Sequence, residues 1–277
     1  MPRHLRSFAG LWTLREYPTA DAEWSLEEKF AAVKAARFDG IGGLLIPETI
    51  PLCEKYGLDY ILYINADPSN WENSLRQAVA YQPQRINIHL MDHDTPPEDA
   101  VATWIEMVDL AEQLGVHLDL EIHRDTATET PEKCGIIGAR FKELTGKEIV
   151  WSLDHSHFST VKHLNPPFAP RLLGSRELTA LVRHIHFRPF NGHHAQIPAT
   201  DGRGSLTPEF GLYLEFAEAL LAQWLEAAPE DAVLYACPEN GPRSSGYALS
   251  CFPDVWLDAI VIRDELRKIW DRLSGAS

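Results

Sequence analysis

The sequence predicts a single (β/α)8 TIM barrel spanning residues 1–277, and three observations carry that prediction. Short apolar runs of strand length alternate eight times with longer helical stretches, the pattern of a parallel sheet wrapped by helices. No shift in composition divides the 277 residues, and barrels of this kind commonly occupy such a length as one unit. With 45% hydrophobic residues the chain can fill one large core. A doubly wound open sheet is the alternative that the same alternation allows.

Each element has its own signal. Residues 7–14 read as a short apolar strand ending near Trp12. Ser25 and Glu28 match a capping box, so a helix begins there, runs to about Phe38 and stops before Gly40. Residues 43–47, with Leu44, Leu45 and Ile46 in a row, read as a buried parallel strand. A short helix at 49–56 ends at Gly57. Strand three is 59–65, a helix at 70–81 follows, and strand four is 85–91. The clearest helix is 97–114, with Pro97 at its start and Gly115 as its stop. Strand five is 116–122, followed by a helix at 131–144 that Gly146 ends. Strand six is 149–154. After the proline-rich connection at Asn165, Pro166 and Pro167, a weaker helix at 175–182 precedes strand seven, 183–187. A long loop, 188–207, leads to a helix at 208–227. Strand eight is 232–237, and a helix from 253 to about 273 closes the chain.

Charge and composition narrow the partners. A net charge of −15 opposes nucleic acids and other polyanions. No apolar stretch is long enough to span a bilayer, and no secretory pattern follows the basic N-terminal residues. Cys53, Cys134, Cys237 and Cys251 show no C-x-x-C spacing and read as reduced thiols of a cytoplasmic protein. Trp256 and Trp270 on the last helix face either the barrel or a partner subunit, which leaves a homo-oligomer open.

A barrel reading makes the strand ends a test, because active sites of this architecture lie at the C-terminal ends of the strands. Strand five ends with Glu121 and His123 on one face. Strand six ends at Asp154, with His157 in the next turn. Strand seven places His186 and Arg188 on one face. Glu239 follows strand eight, and strand four adds His89. A lone Asp at such a place reads equally well as the cap of the next turn. Glu, Asp, His and Glu at the ends of four successive strands read instead as one constellation.

These motifs resemble those of the xylose isomerase-like TIM barrels, which include sugar epimerases, hydroxypyruvate isomerases, inosose dehydratases and endonuclease IV enzymes. Glu121-Ile122-His123 is similar to the family's strand-five Glu-x-His, and Asp154-His155-Ser156-His157 to its Asp-x-x-His. His184-Ile185-His186-Phe187-Arg188 resembles its strand-seven His-x-His-x-Lys/Arg. Asp201-Gly202-Arg203-Gly204 resembles the loop that follows, with Asp for the first Gly. Phe38-Asp39-Gly40-Ile41 resembles the entry to strand two. The resemblance implies metal ligands Glu121, Asp154, His186 and Glu239, with His157 and Arg188 on substrate oxygens. Arg188-Pro189 departs from the Lys-Asp that many members carry.

Three carboxylates and one imidazole make a hard, open site suited to Mn²⁺, Mg²⁺ or Co²⁺, with Zn²⁺ also able to bind. Such an ion polarises a carbonyl and its neighbouring hydroxyl and acidifies the C–H between them. Glu121 and Glu239 are then the candidate proton acceptor and donor. His89, His123, Arg188 and Trp12 would hold hydroxyls and a ring face, and the loop 188–207 is a candidate lid. The expected activity is a metal-dependent sugar isomerase or epimerase. A dehydratase of the same family is the alternative. An endonuclease IV-type nuclease lacks its expected histidines on strands two and three, and a silent binding barrel remains the third class.

Overall fold

The structure, a computed structural model, describes residues 3–275. Met1, Pro2, Ala276 and Ser277, the ends of the expected 1–277 domain, lie outside the described residues. Eight parallel strands close into a barrel in chain order, with β1 paired to β8, so the open-sheet alternative falls. The strands are β1 His4–Gly10, β2 Gly40–Gly43, β3 Asp59–Ala66, β4 Arg85–Leu90, β5 Leu118–Glu121, β6 Trp151–Leu153, β7 Val182–His186 and β8 Val233–Cys237. The helices are α1 Leu26–Ala35, α2 Thr49–Tyr56, α3 Trp71–Ala78, α4 Pro97–Leu114, α5 Pro131–Thr145, α6 His155–Val161, α7 Ala169–Leu172, α8 Arg176–Thr179, α9 Pro208–Ala227 and α10 Val255–Ser274.

Helix starts follow their caps. The Ser25–Glu28 capping box is formed in both directions, and Thr130, Thr207 and Asp254 cap α5, α9 and α10. The main core lies between the barrel and its helices, with Trp104 and Trp224 fully buried in it. Trp256 and Trp270 are buried there as well: Trp256 stacks on Phe38 and Trp270 packs against Trp224. The last helix thus uses both tryptophans within its own chain.

Four local expectations need correction. β1 begins at His4 and stops at Gly10, and the residues up to Glu16 form turns. The helix expected at 175–182 is only the single turn Arg176–Thr179, because Val182 is taken by β7 and pairs with Trp151. The segment between β6 and β7 contains α6 and α7, which sequence patterning missed. The third change is at β2, which is Gly40–Gly43 and not 43–47. The fourth concerns β5 and β6: β5 starts at Leu118 and ends at Glu121, not 116–122, and β6 is Trp151–Leu153, not 149–154.

The reason for the β2 shift lies inside the barrel. Phe8, Ile61 and Tyr235 form an apolar plug separate from the main core, with Phe8 and Tyr235 edge to face at 5.5 Å. A Cβ at Gly40 would lie 2.1 Å from Phe8 Cε1 and 2.6 Å from the Asp59 carbonyl oxygen. One at Gly42 would lie 2.3 Å from Tyr63 Oη. β2 therefore contributes space in place of side chains, and aromatic rings from β1 and β3 fill it. Leu44, Leu45 and Ile46 are carried past the end of the strand, where Leu44 is 52% exposed.

This packing yields a stability prediction. Gly40→Ala forces a methyl group against an aromatic ring and a backbone carbonyl that cannot both retreat. The variant should lose about 1–3 kcal/mol, the usual cost of overpacking. Urea unfolding followed by circular dichroism measures this; a midpoint equal to that of the parent protein would show that the plug is loose.

Candidate metal centre

The inward faces of β4 and β5 place Asn87 and His89 beside Glu121. Glu121 is fully buried. Its Oε2 accepts a short hydrogen bond from Asn87 Nδ2 and lies 2.6 Å from His89 Nε2, while its Oε1 has no hydrogen-bond partner. Asp154 follows β6 and is also fully buried. Its Oδ1 accepts from the Ser156 N–H at 3.0 Å and so caps α6. The turn-cap reading thus holds for one oxygen. Oδ2 has no hydrogen-bond partner; it lies within ion-pair distance of Arg188 Nη2, at 2.9 Å, and of His157 Nε2, at 3.3 Å. His186 ends β7 with neither ring nitrogen hydrogen-bonded. Its Nδ1 stands 3.2 Å from Glu121 Oε1 and 3.3 Å from Glu239 Oε2.

These unpartnered atoms fit a divalent ion. Ligand-capable atoms of Glu121, Asp154 and His186 all lie within 4.8 Å of one another. An ion with ligands at about 2.0–2.2 Å spaces those ligands roughly 3–4.3 Å apart. Buried polar atoms left without partners are rare in folded proteins, and here they converge. Glu239 stands outside that group of three; it accepts a short hydrogen bond from Arg188 and approaches His186. His89, Glu121 and His123 form a second compact group, but there His89 and Glu121 already engage each other.

Electrostatics keep the site charged. Burial opposes ionisation of Glu121, yet His186 and His89 outweigh it and hold the carboxyl well below its usual range. For Asp154 burial is again overcome, here by Arg188 and His157, and its carboxyl is lowered. Glu239, buried but facing His186 and Arg188, falls to about 2. Burial works against protonated His186, but Glu121 and Glu239 raise it well above the ordinary histidine value. His123 goes the other way: burial and then the neighbouring His89 lower it to about 3. Its Nδ1 lies 2.6 Å from the Arg124 carbonyl oxygen, which only accepts, so Nδ1 carries the proton and Nε2 is free.

A cavity of 490 Å³ opens above this centre and is lined by Glu121, His186 and Glu239 together with Trp12, His89, His123 and Arg188. His157 does not line it; it is 2% exposed and packs edge-on against His123, with ring centroids 4.4 Å apart. Arg188 is equally buried under Tyr247 and Trp12, at 4.3 and 5.2 Å from their ring centroids, and its Nε and Nη1 have no hydrogen-bond partners. Sequence reasoning missed Asn87, Asn65, Tyr63 and Tyr247. Asn87 was detectable as the inward residue two before His89; Tyr247 belongs to an irregular loop with no periodicity to place it. The 188–207 loop is not a free flap over its middle part. Gln196 and Gly241 exchange two hydrogen bonds, and Ala199 and Thr200 bond to Asp258. His193 and His194 are exposed.

A protonated His186 must release its proton to serve as a ligand. Binding of Mn²⁺ at pH 7 should therefore release about one proton per ion. Affinity should rise about tenfold per pH unit until the pKa of His186 is reached. Calorimetry in two buffers of different ionisation enthalpy reads the proton count directly, and a count of zero would remove His186 from the ligand set. Asp154→Ala should weaken the ion by about 100-fold or more.

No family model and no curated protein matches the sequence. Solved structures do match the fold. An L-ribulose 3-epimerase superposes with a TM-score of 0.65 at 14% identity, covering 98% of this chain and 96% of that one. The probable 3-DHS dehydratase AsbF from Bacillus anthracis gives 0.60 at 14% identity, over 96% and 99% of the two chains. The IolI protein, in a structure with a bound zinc atom, gives 0.55 at 14% identity, over 98% of each chain. The chain therefore shares the closed (β/α)8 fold of these structures.

Proposed function

We propose that this protein is a divalent-metal-dependent isomerase or epimerase acting on a sugar, keto-polyol or small hydroxy-keto compound. The observation that carries the reading is the convergence of unpartnered oxygens of Glu121 and Asp154 with an unpartnered ring nitrogen of His186 beneath the cavity. In this reading Glu121, Asp154, His186 and Glu239 hold the ion. Mn²⁺, Mg²⁺ or Co²⁺ suits a carboxylate-rich set, and Zn²⁺ is also accommodated. When bound, the ion supplies Lewis acidity to a carbonyl and its adjacent hydroxyl.

The chain's own residues divide the remaining work. Glu121 and Glu239 are both ionised at neutral pH, so either can accept a proton from carbon and return it. Asn87 and His89 occupy Glu121 Oε2, which leaves Oε1 for chemistry or the ion. Arg188 has two buried nitrogens without partners, Nε and Nη1, to offer to a substrate oxygen, and His123 Nε2 accepts from a hydroxyl. Trp12 presents a ring face at the cavity wall. His157 supports Asp154 and holds His123 in place; contact with substrate is not its role in this arrangement. The −15 charge favours a small-molecule substrate over nucleic acid, and the four unpaired cysteines are in keeping with a cytoplasmic protein. No helix among the described residues is long and apolar enough to cross a membrane.

Dehydration is the second reading. It begins with the same proton removal and diverges only when the β-carbon carries a leaving group. The matched folds include both an epimerase and a probable dehydratase.

The test is solvent exchange. D-Fructose, D-tagatose and L-ribulose, incubated with Mn²⁺-loaded protein in deuterium oxide, should gain deuterium at the carbon beside the carbonyl in whichever is a substrate. Glu121→Gln and Glu239→Gln should each slow exchange by about 10²–10⁴-fold, because Gln keeps an oxygen but accepts no proton. Product formed without solvent label would refute the carboxylate route in favour of an internal hydride shift. Loss of water seen by mass spectrometry would select the dehydratase reading.

A further inference from the structure

The cavity has two unlike halves. Its floor is polar, formed by the residues of the metal centre. Its other side carries Leu11, Leu26, Leu44 and Ile46, from the loops after β1 and β2 and the start of α1, with Trp12 beside them. The two charged groups that line the cavity from the same segments are engaged, Arg15 by Glu16 and Ser244 and Lys29 by Glu23. Leu44 is 52% exposed although it adjoins the reactive floor. Single exposed leucines are ordinary on a protein surface. Here four aliphatic side chains are gathered on one side of the cavity, away from its polar floor.

The backbone of this wall has little to offer a hydroxyl either. The Leu44 carbonyl accepts from Tyr60 Oη at 2.8 Å and from the Ile46 N–H at 2.9 Å. The Ile46 carbonyl accepts from the Thr49 N–H and Oγ1. The Leu11 N–H donates to Gly42, and its carbonyl accepts from the Leu14 N–H. A sugar hydroxyl pressed here would lose its water partners and gain none, at a cost of about 1–3 kcal/mol. The wall is also preformed. A Cβ at Gly43 would meet Leu11 Cδ1 and Tyr60 Oη at 2.7 Å, so the glycine is what lets Leu11 settle against the loop.

We propose that this wall is a subsite for an aryl or alkyl substituent, and that the substrate is a polyhydroxy ketone bearing one, not a free monosaccharide. The inference rests on the proposed function for the polar half and on the wall alone for the apolar half. Small-molecule pockets generally set apolar walls beside a few convergent polar groups, and each half takes the part of the ligand that matches it.

Calorimetry on the Mn²⁺-loaded protein with D-fructose and its 1-O-benzyl and 6-O-benzyl ethers tests it. At least one ether should bind about 10-fold or more tighter than fructose, as burial of an apolar group predicts. Leu44→Ser and Ile46→Ser, both at partly or fully exposed positions, should each shrink that preference about 5-fold. Equal affinity for ethers and fructose, or a preference that survives both substitutions, would overturn the proposal. Sedimentation of the same variants adds a second arm: a dimer that Leu44→Ser dissociates would make the wall a subunit contact and also overturn it. A benzyl preference that persists when no probe exchanges deuterium would uphold the subsite while removing the proton-transfer reading.

Discussion

Three carboxylates, those of Glu121, Asp154 and Glu239, are ionised inside the barrel with no more than 5% exposure. Taking a charged group out of water costs several kcal/mol even after the protein relaxes, so such a cluster persists only when opposite charge is built in beside it. Here Arg188 and protonated His186 supply that charge. Arg188 in turn is kept from solvent by Trp12 on the β1 side and Tyr247 on the β8 side. The seam where β1 meets β8 thus converges on the compensation of these carboxylates.

The barrel interior is layered to make this workable. The apolar plug of Phe8, Ile61 and Tyr235 separates the site from the opposite end. Arg85 and Asp119 form a second buried ion pair on the same inward faces of β4 and β5, two residues earlier along each strand than Asn87 and Glu121. Burial pushes the Asp119 carboxyl up against the pull of Arg85, whereas at Glu121 and Asp154 the neighbouring groups outweigh burial and hold the carboxyls down. The two clusters share geometry but not charge balance. Of the two, the one at the C-terminal end carries carboxylate oxygens without hydrogen-bond partners.

One packing constraint links the floor of the barrel to the cavity wall. Phe8 and Tyr63 need the volume above Gly40 and Gly42, so β2 is a glycine strand of four residues. The aliphatic run that follows is displaced from the sheet to the mouth. Leu44 and Ile46 of this run become lining for the pocket, while Leu45 packs against the main core. The same steric demand that closes the barrel therefore shapes what the site can hold.

The sequence by itself determined the barrel and its site end. Eight alternating units, the Ser25 capping box and the Pro97–Gly115 bracket are local patterns, and local backbone physics is enough to read them. Glu121, Asp154, His186 and Glu239 were legible because strand alternation and strand ends say which face and which end a side chain occupies. Only the tertiary structure decided what depends on neighbours distant in sequence. It chose Gly40–Gly43 over the more apolar 43–47 because Phe8 and Tyr63 needed the space. It split the β6–β7 connection into three short helices where patterning suggested one. It buried His157 behind His123, gave Arg188 to the carboxylates, and brought Asn87 and Tyr247 to the site. Periodicity reports which face a residue is on; which side chain stands opposite is set by strand register and loop packing, and no single stretch of sequence contains either.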